Sequence, residues 1–169
     1  MKDNNCAYCM QGDLLLKFGY PVGKMESGYL YIFKEQTKMG RVIFAYKDHV
    51  SEIVDISDEE RNQFFFDVNS ISKALHKIFS PSKINYGMYG DTGCHLHIHL
   101  VPKYEGGDEW GFTFTMNPDK KYLADSEYEA MAKILRRELN IKFSGCHGSR
   151  QLFYTTRNSS RKAAVSLLE

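Results

Sequence analysis

Long apolar runs are missing from this chain. No stretch approaches the roughly 18 consecutive apolar residues of a membrane-spanning helix, so a membrane role is not expected. An excess of one charge is missing too: 22 Lys and Arg against 21 Asp and Glu give a formal net charge of +1. Nothing global therefore steers the protein toward nucleic acid or an acidic membrane. Cysteine is sparse. Four cysteines in 169 residues, two of them in Cys6-Ala7-Tyr8-Cys9, do not make a secreted disulfide framework. The opening Met1-Lys2-Asp3-Asn4-Asn5 is polar and lacks the apolar core of a signal peptide, so a cytoplasmic protein is expected. There is no internal repeat and no Pro/Gly/Ser linker long enough to divide domains, and this length suits a single core.

What is present is large apolar material: 43% hydrophobic residues, with 11 Phe and 11 Tyr to fill a core. The charge is uneven. Residues 141–169 hold Lys142, Arg150, Arg157, Arg161 and Lys162 against Glu169 alone, a net +4 that leaves about −3 for residues 1–140. Any anion site in the main body must therefore be built locally. Ser144 to Ser149 and Arg157 to Arg161 show little periodicity. The expected division is a domain at 1–140 and an appended basic tail at 141–169, flexible or weakly packed.

Tyr29 to Phe33 and Arg41 to Tyr46 read as strands joined by the polar turn Lys34 to Gly40, an antiparallel hairpin. Ser57 is a good N-cap, followed by three acids that suit a helix N-terminus. Phe64, Val68, Ile71, Leu75 and Ile78 then recur at three- and four-residue steps, which predicts an amphipathic helix to Phe79, ended by Ser80-Pro81. Lys83 to Met88 reads as a third strand, Gly90 to Gly93 as a glycine-bearing loop, and Cys94 to Val101 as a fourth strand stopped at Pro102. A second helix is expected from Ser126 to Leu139.

The strongest chemical signal is His95-Leu96-His97-Ile98-His99-Leu100-Val101-Pro102-Lys103. On a strand, alternation would put three imidazoles on one face and Leu96, Ile98 and Leu100 in the core. Three histidines so arranged can present nitrogens to a catalytic metal, or one can act as a nucleophile toward phosphorus while its neighbours position the phosphate. The upstream Asn85 and Gly90-Asp91-Thr92-Gly93 supply an amide, small residues that let backbone N–H groups approach an anion, and a hydroxyl. These donors suit phosphate oxygens. A plain glycine turn is the competing reading of that loop.

The segment from Asn85 to Lys103 resembles the signature of the histidine triad family, His-φ-His-φ-His-φ-φ with φ apolar. The resemblance extends over about residues 6–105, through Cys6-x-x-Cys9, Glu35-Gln36 before Gly40-Arg41, Lys47-Asp48-His49, and Ile56 to Glu60. Asn85 with Gly90-Asp91-Thr92 is similar to the diadenosine tetraphosphate hydrolase-like branch. Together with the pass along the chain, the resemblance implies an α+β fold, a sheet of about five antiparallel strands with two main helices, assembled as a two-fold dimer. It implies that His97 attacks the α-phosphate and becomes nucleotidylated, and that His99 assists the leaving group. Asn85, the Gly90 backbone and Thr92 would hold phosphate oxygens. No catalytic metal is implied. Lys103 stands where members often have Arg, which keeps the charge without bidentate geometry.

Cys6 and Cys9 are half of a tetrahedral zinc site. They could also be a thioredoxin-like redox pair, whose strand-before and helix-after context is missing, or two idle cysteines. Zinc-bearing members of the family complete such a site with histidines at the positions of His49 and His95, which implies a structural Zn²⁺ beside the catalytic strand. Cys94, expected opposite His95, reads as core. Cys146 and His147 read as incidental, and His76 as surface or packing. Trp110 falls where members place segments that reach the partner's site, although simple packing would also account for it.

Three functions follow: hydrolysis of dinucleoside polyphosphates or related nucleotides, hydrolysis or transfer from nucleoside phosphoramidates, and nucleotide-binding regulation with little turnover. The intact triad argues against the last.

Overall fold

The computed structural model describes residues 3–91 and 93–142. Five strands form one antiparallel sheet: β1 (Gly19–Lys24), β2 (Gly28–Phe33), β3 (Val42–Tyr46), β4 (Lys83–Gly87) and β5 (His97–Lys103), in the order β1-β2-β3-β5-β4. Two four-residue helices, α1 (Ala7–Met10) and α2 (Asp13–Leu16), precede the sheet; α3 (Asp58–Phe79) and α4 (Asp125–Leu139) are the main ones. The α+β expectation therefore holds. Among the described residues, no helix is long and apolar enough to cross a membrane.

The β2–β3 hairpin is closed by a side chain. Buried Gln36 donates to the carbonyls of Phe33 (2.5 Å) and Arg41 (3.0 Å) and accepts from Gly40 N–H (2.8 Å). Gly40 sits at φ +84°, where a side chain would be strained and would strike Phe79, so glycine is required there. Helix α3 opens with a reciprocal cap: Ser57 Oγ accepts from Glu60 N–H, and Glu60 Oε2 accepts from Ser57 N–H. Glu60 also accepts from Tyr46 Oη at 2.8 Å, which fastens the start of the helix to the end of β3.

Residues paired across neighbouring strands share a face. Leu30, Phe44 and Ile98 form one row on the side covered by α3 and α4, where they bury against Phe64, Ile71, Leu75 and Leu135. Burying side chains of this size stabilises by about 1.5–3 kcal/mol each. On the opposite face run two other rows: Tyr31, Ile43, His99 and Gly87, and beside it Tyr29, Ala45 and His97. The N-terminal segment covers this face through Leu15, which packs with Tyr31 and Ala45.

Two expectations need correction, and one strand comes in addition to the four that the sequence pattern predicts. Strand β1 holds Gly19, Pro21 and Gly23, residues that central strands seldom contain. It is an edge strand with an irregularity between Pro21 and Gly23, the setting in which a sheet tolerates such residues. The histidine strand begins at His97 rather than at Cys94 and runs through Pro102 to Lys103. Pairing with β3 ends at Leu100, so beyond it β5 meets only β4, and Pro102 need not donate on the β3 side. Because the strand starts later, alternation does not reach Cys94, which is exposed and not core.

Ile141 packs against the core and the Lys142 carbonyl approaches Gly23. The rest of the expected tail, with Cys146 and His147, lies outside the described residues, as does Thr92.

Candidate active site

His97 and His99 stand on β5 on the face away from α3 and α4. His97 is half-buried and its Nδ1 lies 2.7 Å from the His95 carbonyl. A carbonyl only accepts, so Nδ1 carries the proton and Nε2 is left with its lone pair. Burial holds the His97 pKa below its ordinary value, against the opposing effect of that hydrogen bond. The ring is therefore neutral near pH 7, with one nitrogen oriented by the backbone and the other available as a base or nucleophile.

His99 is held in the opposite tautomer. Its Nδ1 lies 3.1 Å from Arg41 Nη2, and guanidinium only donates, so His99 accepts at Nδ1 and carries its proton on Nε2. Arg41 is itself buried at 1% exposure. Its guanidinium lies 4.0 Å from the centre of the Phe33 ring and 5.0 Å from that of Phe114, and donates to the Met116 carbonyl at 2.5 Å. Burial, the adjacent Arg41 charge and His97 together push the His99 pKa down to about 3. Two neutral imidazoles 5.3 Å apart thus present unlike nitrogens, a lone pair from His97 and an N–H from His99.

Several aromatic residues frame this pair. Tyr8, between the two cysteines of the N-terminal motif, packs 5.1 Å from the His97 ring and 5.2 Å from that of His95. Phe33, Tyr89 and Phe114 lie 5.8, 6.1 and 6.5 Å from His99. Gly87 pairs with His99, and any side chain there would collide with the Tyr89 ring, so this glycine makes room for Tyr89 to fold back toward the site.

Asn85 pairs with Val101, which places it on the face of His97 and His99, two residues along β4 from Gly87. Its side-chain amide makes no hydrogen bond among the described residues. Gly90 is exposed with open space around its Cα. Lys103 does other work than contact phosphate. It is buried, and its ammonium donates to the carbonyls of Glu109 and Phe112 (2.7 Å to the latter), fixing the segment that carries Phe114 to His99. Trp110 is half-buried and its backbone N–H donates to the Gly107 carbonyl.

His95 lies just before β5 rather than on it, a correction to the picture of three imidazoles on one strand. Its Nε2 donates to the Tyr46 carbonyl at 2.9 Å, which frees Nδ1 as an acceptor. That nitrogen faces Cys6 Sγ at 3.4 Å and Cys9 Sγ at 3.6 Å, while His49 Nδ1 lies 3.3 Å from Cys9 Sγ. The four ligand atoms all lie within 4.8 Å of one another. Two thiols and two imidazoles at that spacing, with His95 in the tautomer that offers a lone pair inward, can hold a metal ion.

Residues 36–106 match the family model described as the HIT domain. Protein hit of Bacillus subtilis is 26% identical over 125 residues, covering 68% of this chain and 82% of that protein. A histidine triad protein from Sinorhizobium meliloti superposes with a TM-score of 0.68 at 18% identity, covering 75% of this chain and 94% of the other. A Zn-bound histidine triad family protein from Mycobacterium smegmatis superposes at 0.58 and 17% identity, covering 80% and 94%. These two likenesses show that the five-stranded sheet with its flanking helices is the HIT fold. Arg41, Tyr8, Tyr89 and Phe114 around His97 and His99 were not foreseen as site residues. Arg41 carried the one available signal, as an arginine between a glycine turn and a strongly apolar strand.

Proposed function

We propose that this HIT protein cleaves nucleotides at the α-phosphate through a nucleotidyl-His97 intermediate, with dinucleoside polyphosphates the first substrates to try. The observation that carries the reading is the tautomer of His97: Nδ1–H is tied to the His95 carbonyl, so the Nε2 lone pair is available to attack phosphorus. His99 supplies the complementary N–H to the leaving side. Asn85 and the Gly90 backbone hold nonbridging oxygens, where donors matter most as charge builds in the transition state. Thr92 is assigned the same role from its sequence position. Water or another acceptor then releases the nucleotide, so one fold serves hydrolysis or transfer.

Cys6, Cys9, His49 and His95 hold a zinc ion in this reading, supported by the donor set and its spacing. When bound, zinc cross-links the N-terminal segment to the start of β5. The protein's own contribution is Tyr8, which that segment presses against His97. A two-fold dimer belongs to the same reading; the segment after β5 exposes Phe112 at 76%, which assembly would cover.

Steady-state turnover of a dinucleoside polyphosphate by wild-type protein and by His97→Ala tests the proposal. Loss of covalent catalysis should cost several orders of magnitude in rate while nucleotide binding persists. Turnover by His97→Ala near the wild-type rate would overturn it.

A further inference from the structure

Arg41 is a buried cation placed directly behind a histidine of the site, and this narrows the chemistry the site can perform. Its guanidinium makes no described ion pair; its Nη2 donates to His99 Nδ1, its Nη1 to the Met116 carbonyl, and Nε has no partner among the described residues. The Phe33 and Phe114 rings hold the group in place. Burial lowers its pKa only to about 10, so the charge persists at neutral pH.

We infer that Arg41 is a specificity-determining residue that commits the site to phosphate anhydrides, whose leaving group departs as an oxyanion, over phosphoramidates, whose leaving group is an amine. The inference rests on the reading of His97 as nucleophile. His99 accepts at Nδ1 from a group that cannot give up its proton, so it cannot take a second proton there. It meets the substrate as a neutral N–H that can donate a hydrogen bond and cannot deliver a proton.

For an anhydride that is sufficient. The His97 Nε2 lone pair forms a bond to the α-phosphorus, and the bond from phosphorus to the bridging oxygen breaks with its electron pair on oxygen. The departing phosphate has a second pKa of about 6, so it leaves as an anion. It is stabilised by the His99 N–H, which keeps its proton, and by the Arg41 charge behind it. Water then attacks phosphorus, the N–P pair returns to Nε2, and the water proton passes to solvent. A phosphoramidate differs at the first step. An alkylamine has a pKa of about 10, as lysine does, and cannot leave without a proton that His99 does not supply.

The test compares kcat/KM for wild-type protein on a dinucleoside polyphosphate and on nucleoside 5′-phosphoramidates of the same base, with amines of graded pKa. The anhydride should be favoured about 100-fold over an alkylamine phosphoramidate, the low end of what general acid catalysis contributes. Among the phosphoramidates the rate should fall as amine pKa rises. Arg41→His keeps a donor toward Nδ1 without a fixed charge and should narrow the preference at least about tenfold; Arg41→Lys should retain it. Alkylamine phosphoramidates cleaved as fast as the anhydride, or a preference unchanged in Arg41→His, would overturn the inference. Should the variants fail to fold, the wild-type leaving-group series decides alone. If both substrate classes are cleaved through an adduct on His97 and the amide is preferred, this inference fails and the proposed function stands. If neither class is cleaved, both fail.

Discussion

Cys9→Ser should release the N-terminal segment and leave the rest of the domain folded. Helices α1 and α2 have four residues each, far short of the roughly 12–15 at which a helix begins to hold in water by itself. Their attachment comes from fully buried Leu15, from Tyr8 against Tyr31 and Phe18, and from the cluster of Cys6 and Cys9 with His49 and His95, which could hold a metal ion. The main core draws on residues from Tyr20 onward and none from this segment. An ion present at about 1,000 times its Kd adds about 4 kcal/mol to the bound state. Removing it should therefore raise the population of the opened segment about a thousandfold. Amide hydrogen exchange reads this directly: protection across residues 7–18 should collapse by about that factor while the centre of α3 keeps its protection. Turnover should fall about 10- to 100-fold, as when a metal's supporting shell is lost, because Tyr8 no longer packs on His97. Purified wild-type protein should carry about one zinc per chain. Metal-free wild-type protein with an unchanged exchange pattern, or equal loss of protection in α3, would refute the reasoning.

Stability should fall as pH is lowered from about 6.5 toward 3, because unfolded His99 takes up a proton that the folded, Arg41-backed ring refuses until about pH 3. The contribution is present above pH 6.5 and declines by about 1.4 kcal/mol per unit in that window; His99→Gln should reduce the slope of urea-unfolding free energy against pH by about that amount, and an unaltered slope would contradict the assignment. A chain truncated after Lys142 should stay folded and turn over substrate at close to the full-length rate, since the sheet, both main helices and both histidine clusters precede that point; aggregation or inactivity would give the basic tail a part in the fold or the site.

The elements with a strong local pattern were legible in the sequence. The β2–β3 hairpin, α3 and α4 declared themselves through apolar periodicity and caps such as Ser57 with Glu60. The His-φ-His-φ-His run marked the site because alternation and chemistry coincide there. Strand β1 was hidden because Gly19, Pro21 and Gly23 suit only an edge, and edge position is a property of the finished sheet. The tautomers were equally hidden. That of His99 depends on Arg41, 58 residues away in sequence, and that of His95 on the Tyr46 carbonyl, 49 residues away. Lys103 could be placed by its motif but not given its job, since the carbonyls it binds belong to an irregular segment that no periodicity predicts.

Rapid quenching of wild-type protein during turnover of a dinucleoside polyphosphate, followed by peptide mass mapping, tests the central claim most directly. The account predicts one nucleotide monophosphate adduct, labile to acid as phosphoramidates are, on the peptide containing His97 and absent from His97→Ala. An adduct on any other residue, or sustained turnover with no adduct at all, would contradict it.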